Sequence, residues 1–256
     1  MNKIKLISHK GFLDLYPENS LAAIKFAWDL GITPGIDLRS TKDEQIIGFC
    51  DETLLRTTNA PTNIDEKPIN NLLFDEIKEI TLISDDKKKH TIPLFKEILY
   101  YLGEKIDRKI VIDCKTLSIT RNIIPLIQAF NAEKQVIVAS NSIEECKEIK
   151  TALPNIETLL SINMTEERID LTYQKAVEDP FVDQILFILE KHPDKKNHFH
   201  LSYPYLEAAL KKSTDKQCPL ILYHREFQKK SFKTLLALGF TDFATDNVEK
   251  FLNLII

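Results

Sequence analysis

The sequence predicts an α/β protein, a TIM-type (β/α)8 barrel carrying a small insertion after a hairpin on its second strand. Three observations point there. Short β-branched runs recur along the chain. Each is followed by a longer stretch of helical periodicity, the pattern of repeated βα units and a parallel sheet. And 256 residues with 43% hydrophobic content suit one such domain and its sizeable core.

The runs that count toward closure are Lys5–Ser8, Ile36–Arg39, Ile110–Cys114, Gln135–Ala139, Thr158–Ile162, His198–Ser202, Leu220–Tyr223 and Asp242–Thr245. Between them, Ser20–Leu30 carries an apolar stripe of Leu21, Ile24, Ala27, Trp28 and Leu30, and Ser142–Leu153 carries charges on its other face. Trp28 and the phenylalanines read as core packing. A closing helix is expected over Val248–Ile255, with Asp246 or Asn247 placed to cap it.

Gln45–Cys50 is also strand-like, but only Ser40-Thr41-Lys42-Asp43-Glu44 separates it from the second strand. A parallel crossover needs about a dozen residues, so this run is the return arm of a hairpin. The stretch from 51 to 91 then becomes the insertion, with one helix over Phe74–Thr81 and a lysine-rich turn over Ser84–His90. No repeat or low-complexity linker divides the chain, so a single domain over residues 1–256 is expected.

Charged residues make up 28% and the formal charge is −4, with lysine and arginine scattered along the chain, which disfavours a nucleic-acid partner. The basic start lacks the long apolar run of a signal segment. No later run approaches the roughly 20 apolar residues of a membrane span, so a cytoplasmic protein is expected. Cys50, Cys114, Cys146 and Cys218 lack CxxC spacing and read as reduced thiols.

In such a barrel the side chains at the C-terminal strand ends face a common mouth. Those ends supply His9 and Lys10, Asp37 and Arg39, Asp113 and Lys115, His200 and Tyr203, Tyr223, His224 and Arg225, and Thr245 with Asp246. Strand alternation puts Asp37 with Arg39 and Asp113 with Lys115 on shared faces, with Leu38 and Cys114 pointing away. Oxygen ligands suit a hard cation, lysine and arginine suit a phosphate, and histidine suits proton transfer near neutral pH. The set therefore points to phosphoester chemistry. A second reading stays open, in which Asp37–Arg39 and Asp113–Lys115 are ion pairs closing the top of the barrel and His9 is a rim residue.

At these residues the chain resembles the glycerophosphodiester phosphodiesterase family. Its opening His-Arg-Gly and Glu-Asn-Thr blocks match His9-Lys10-Gly11 and Pro17-Glu18-Asn19-Ser20 here. Its Glu-x-Asp, Thr-Lys-Asp, His-Asp and Arg-Thr-Thr blocks match Gly35-Ile36-Asp37, Thr41-Lys42-Asp43, Cys50-Asp51 and Arg56-Thr57-Thr58. Ile92-Pro93-Leu94, Asp113-Cys114-Lys115 in place of Glu-x-Lys, and Gly239 to Asp246 in place of the closing Thr-Asp block complete a likeness that runs end to end.

The resemblance implies phosphodiester hydrolysis by two histidines as acid and base, with a divalent cation on three carboxylates. Here His9 matches the first histidine and Cys50 replaces the second. Gly35 replaces a metal glutamate, leaving Asp37 and Asp113 as remnant ligands for a weakly bound Mg2+ or Ca2+, if any. A gapped register stays open, in which Asp37 and Arg39 fall on the family's Glu and Asp; it loses a ligand just the same. Lys10, Lys115, Arg39 and Arg225 are the candidate phosphate groups. His224, and less so His200, are candidates to compensate for the lost histidine. The resulting expectation is an impaired glycerophosphodiester phosphodiesterase-like protein of lipid metabolism acting on a small phosphodiester or phosphate ligand. The alternative is a pseudoenzyme binding a phosphorylated ligand at the mouth. The leaving alcohol and the oligomeric state are not encoded in these motifs.

Overall fold

The computed structural model describes residues 4–163, 166–190, 199–224 and 228–255. In chain order the elements begin β1 (Lys5–His9), α1 (Leu21–Asp29), β2 (Thr33–Ser40), β3 (Ile46–Gly48), α2 (Phe74–Ile77), α3 (Phe95–Gly103), β4 (Ile110–Cys114) and α4 (Leu117–Ala129). They continue with β5 (Val136–Ser140), α5 (Ile143–Ala152), β6 (Glu157–Ile162), α6 (Glu166–Ala176), β7 (Gln184–Leu189) and α7 (Tyr203–Asp215). The last are β8 (Leu220–His224), α8 (Lys229–Ala237), β9 (Asp242–Thr245) and α9 (Val248–Ile255). β3 runs antiparallel to β2, pairing Leu38 with Gly48 and Ser40 with Ile46, so it is the expected hairpin arm. With that arm set aside, eight strands alternate with helices, and the fold is a TIM-type (β/α)8 barrel.

Two compact units divide the chain: Ser8–Val138, and Ala139–Ile256 with the first residues. In the first, β2 and β4 pair in parallel, with Gly35 opposite Val111 and Asp37 opposite Asp113. α1 starts at Ser20, whose hydroxyl accepts from the Ala23 N–H, and ends where Gly31 turns at φ 71°. The Trp28 indole donates to the Lys109 carbonyl at 2.8 Å, so this ring is buried with its polar edge satisfied. Residues of the insertion build a separate apolar cluster, in which Leu54, Ile69, Leu72, Ile77 and Leu82 pack with Ile47 and Phe49.

The second unit pairs β6, β7, β8 and β9 in parallel. Phe232, Phe243 and Phe251 clasp α8, β9 and α9, with ring centroids 4.2–5.3 Å apart.

Two expectations are corrected. The sixth barrel strand is β7, Gln184–Leu189, and not His198–Ser202. Ile185, Leu186, Phe187 and Leu189 are all buried, and a parallel strand covered on both faces reads as a continuous apolar run without alternation. Of the expected strand, His198 lies outside the described residues. His200 donates its backbone N–H to Glu190, and Ser202 caps α7, so His200 and Tyr203 do not end a strand. The helix expected over Phe74–Thr81 is the single turn α2. The residues after it, Thr81 and Leu82, pair with Thr91 and Thr58, because β-branched and apolar side chains there join the insertion's own cluster.

The turn after β1 sets up the site. Lys10 and Gly11 both take positive φ, 60° and 88°. A Cβ on Gly11 would meet the Ala23 Cβ at 2.7 Å, so β1 hands over to α1 in a space that only glycine fits. Gly11→Ala is expected to destabilise the fold by about 1–3 kcal/mol through strain and that clash. Chemical denaturation measures it, and an unchanged midpoint would show that the α1 start moves aside freely.

Candidate active site at the strand ends

The centre of the site is a lysine between two carboxylates. Asp37, on β2, and Asp113, on β4, are register partners on neighbouring parallel strands. Lys115 follows β4 by one residue. Its Nζ lies 2.5 Å from Asp37 Oδ1 and 2.6 Å from Asp113 Oδ2. Asp37 is 1% exposed. Burial alone would push its carboxyl up, but the Lys115 charge and hydrogen bond outweigh it and hold the group below its ordinary range. Lys115 shows the reciprocal effect: burial pulls its ammonium down, and Asp37 with Asp113 raise it above the ordinary lysine value. His9, at the end of β1, sits close enough to Asp37 to favour its charged form.

Asn19 completes the setting of Asp37. It occupies the left-handed region at φ 58°, its N–H donates to the Lys10 carbonyl, and its Oδ1 accepts from the Asp37 backbone N–H at 2.9 Å. Its amide nitrogen is 3.5 Å from Asp37 Oδ2, and Lys10 Nζ is 3.9 Å from the same oxygen. The sequence reading placed Asn19 only within a motif. Its signal is an asparagine just before the Ser20 cap, since asparagine tolerates this conformation better than other side chains.

A second network borders the first. Arg56, from the insertion, takes both Glu18 oxygens at 2.6 and 2.9 Å and both Asp51 oxygens at 2.5 and 2.9 Å. Lys10 Nζ adds a 3.0 Å bond to Glu18. Glu18 is held below its ordinary range although burial opposes this, because Arg56 and Lys10 bind its charged form. Asp51 is lowered mainly by its hydrogen bond to Arg56. Cys50 lies between the two networks, with its thiol sulfur within 4.8 Å of carboxylate oxygens of Glu18 and Asp51 and near enough to Asp37 to favour that group's charged form. Burial and then the Asp37 charge push that thiol up to about 11, so it stays protonated at neutral pH.

Of the sequence candidates, Asp37, Asp113, Lys115, His9 and Lys10 come together. Arg39 does not pair with Asp37; its Nε donates to the Cys50 carbonyl at 2.7 Å and braces the hairpin. Gly35 sits inside β2, two residues before Asp37. His224 belongs to the other unit, where it ends β8, is 3% exposed and meets Phe199 edge-on at 5.0 Å. There too, the Tyr223 hydroxyl donates to Asp246 at 2.9 Å. Arg225 lies outside the described residues.

Residues 9–250 match the model of the glycerophosphoryl diester phosphodiesterase family. The chain belongs to that family. A glycerophosphodiester phosphodiesterase of Caldanaerobacter subterraneus is 26% identical over 263 residues, covering 99% of this chain and 98% of that protein. Among solved structures, a glycerophosphoryl diester phosphodiesterase from Parabacteroides distasonis superposes with a TM-score of 0.77 at 18% identity, covering 100% of this chain and 88% of that one. A phosphodiesterase from Oleispira antarctica, solved with its product sn-glycerol-3-phosphate, gives 0.75 at 17% identity, with coverages of 98% and 96%. No described helix is long and apolar enough to cross a membrane.

Family members typically work with a divalent cation, so the donor set has to be tested against one. Among the described residues, Glu18, Cys50 and Asp51 offer ligand atoms within 4.8 Å of one another. Both carboxylates in that group are already taken up by Arg56, and the third member is a protonated thiol, a poor donor for a hard ion. Asp37 and Asp113 are crossed by the Lys115 ammonium. As they stand, neither set fits a hard divalent cation.

Asp37, Glu18 and Asp51 all have folded values below the ordinary ones, so their contribution is complete above the normal carboxylate range of about 4 and is lost as pH falls through the lowered values. Unfolding free energy is therefore expected to drop as pH goes below about 4. Asp37→Asn should flatten that slope in acid denaturation curves; an unaltered slope would mean that Asp37 carries no share of it.

Proposed function

We propose that this chain is a glycerophosphodiester phosphodiesterase-like protein. In this reading it binds a small phosphodiester or phosphate ligand at the strand ends and hydrolyses it to glycerol phosphate and an alcohol only slowly. The observation that carries the reading is Cys50, a thiol kept protonated by burial and the nearby Asp37 charge, at the position matching the family's second histidine. Phosphodiester cleavage needs a proton taken from the attacking oxygen and one given to the leaving alkoxide. His9 is assigned one of these transfers, and the other has no imidazole. A lost acid or base costs about 10²–10⁴-fold in rate.

Lys10 and Lys115 are assigned to the phosphate oxygens. An ammonium carries three donors, and two of those on Lys115 are engaged by Asp37 and Asp113, which leaves one for a ligand. Arg39 and Arg225 are assigned supporting phosphate contacts, and Asp37 and Asp113 remain the remnant positions of the family's cation. We place the protein in the cytoplasm and in lipid metabolism; four cysteines that form no disulfide among the described residues suit a reducing compartment. The second reading, a pseudoenzyme that holds a phosphorylated ligand without turnover, is favoured by the ion-paired state of both carboxylates.

Release of glycerol phosphate from glycerophosphodiesters separates the two. The natural chain is expected to be slow, Cys50→His faster, and Cys50→His with Gly35→Glu faster by more than the product of the single effects, since groups acting on one transition state are not additive. High activity in the natural chain that His9→Ala abolishes would overturn the impaired site, and its further loss in His224→Ala would name the compensating group. Binding of glycerol phosphate with no activity in the double variant would establish the pseudoenzyme.

A further inference from the structure

We propose that Lys115 is the resident cation of this site, so that phosphate is bound without any divalent ion, and that the ion site survives in latent form beneath its ammonium. The phosphate half of this statement rests on the function proposed above; the ion half does not.

The argument is one of place and charge. Asp37 and Asp113 are the two carboxylates that neighbouring strands present side by side, and Lys115 Nζ stands between them at 2.5 and 2.6 Å. Each oxygen of Asp37 is already served. Oδ1 faces Lys115, while Oδ2 faces Lys10 at 3.9 Å and the Asn19 amide at 3.5 Å. Two ammonium groups thus already stand against Asp37, although Lys10 is shared with Glu18 at 3.0 Å. A hard divalent ion takes six or more oxygen ligands and binds tighter as the ligand charge rises. Here it would have to displace an ammonium from both of its anionic partners and then sit beside it, like charge against like, at a place where Gly35 supplies no third carboxylate.

The same geometry shows what removing the ammonium would do. Asp37 is buried, and stripping it of its nearest cation leaves an uncompensated charge, which is costly. Beside it, Asp113 is half exposed to solvent and able to complete a coordination shell with water. A hard ion relieves the cost and finds two carboxylates in register. Lys115→Met and Lys115→Gln are therefore expected to gain a site for Ca2+ or Mn2+.

Isothermal titration of Mg2+, Ca2+ and Mn2+ into the natural chain and both Lys115 variants tests the ion half, with thermal midpoints recorded with and without each ion. No binding to the natural chain tighter than about 100 µM is expected, while the variants bind an ion and gain midpoint from it. Either of two results would overturn the inference: tighter ion binding by the natural chain, or folded Lys115 variants that bind none. If the variants fold only when an ion is present, that requirement is itself the gained site, and if they fold under no condition the natural-chain titration decides. Titrating sn-glycerol-3-phosphate into the natural chain with EDTA, and then with each ion, tests the other half: equal affinity supports metal-free binding, and a gain of about tenfold with an ion refutes it. No binding of sn-glycerol-3-phosphate under either condition would refute the proposed function and the phosphate half together, leaving the ion half to the variants.

Discussion

The site depends on the parallel register of β2 against β4. Because Asp37 and Asp113 are direct partners in that register, two like charges are fixed side by side at the end of a sheet, one of them buried. Such a pair is stable only with a cation between them. Every other feature of the site serves that demand. Lys115, two residues along the same alternation from Asp113, reaches both carboxylates. Asn19 holds the Asp37 backbone, and the left-handed pair Lys10 and Gly11 turns the chain so that a second ammonium comes near.

Around this centre the charges are handed outward in alternation. Lys10 links Asp37 to Glu18, and Arg56 links Glu18 to Asp51. Cys50 is in the middle of the chain of charges yet remains neutral, since burial and the Asp37 charge both disfavour a thiolate. In this network each carboxylate is therefore met by a lysine or an arginine, and the thiol at its middle adds no charge.

How far the sequence could be read follows from which physical signals are local. Alternation and turn spacing identify β3 as a hairpin arm, because five intervening residues rule out a crossover. Asp37, Asp113 and Lys115 were visible as a group, because strand ends gather side chains. What the sequence could not show is that Lys115 reaches both aspartates, since that depends on register between strands far apart in the chain. The run Ile185–Leu189 was obscured for the opposite reason: covered on both faces, it loses the alternation that marks a half-buried strand, while the sequence His198–Ser202 shows that alternation. An Asp37–Arg39 ion pair was one of two readings that the shared face left open. The closer carbonyl of Cys50 on the adjoining hairpin arm takes its guanidinium instead.

The insertion that supplies Arg56 leaves and rejoins the fold at nearly one point: Gly48 donates its N–H to the Pro93 carbonyl at 2.9 Å, and Ile47 bridges to Leu94. Its apolar cluster is largely its own. With both ends pinned together, changes of length within it alter closure entropy only slowly. The floor of this site is thus set by strand register, whereas its rim, with the arginine it carries, is set by how a closed loop folds onto its own apolar cluster.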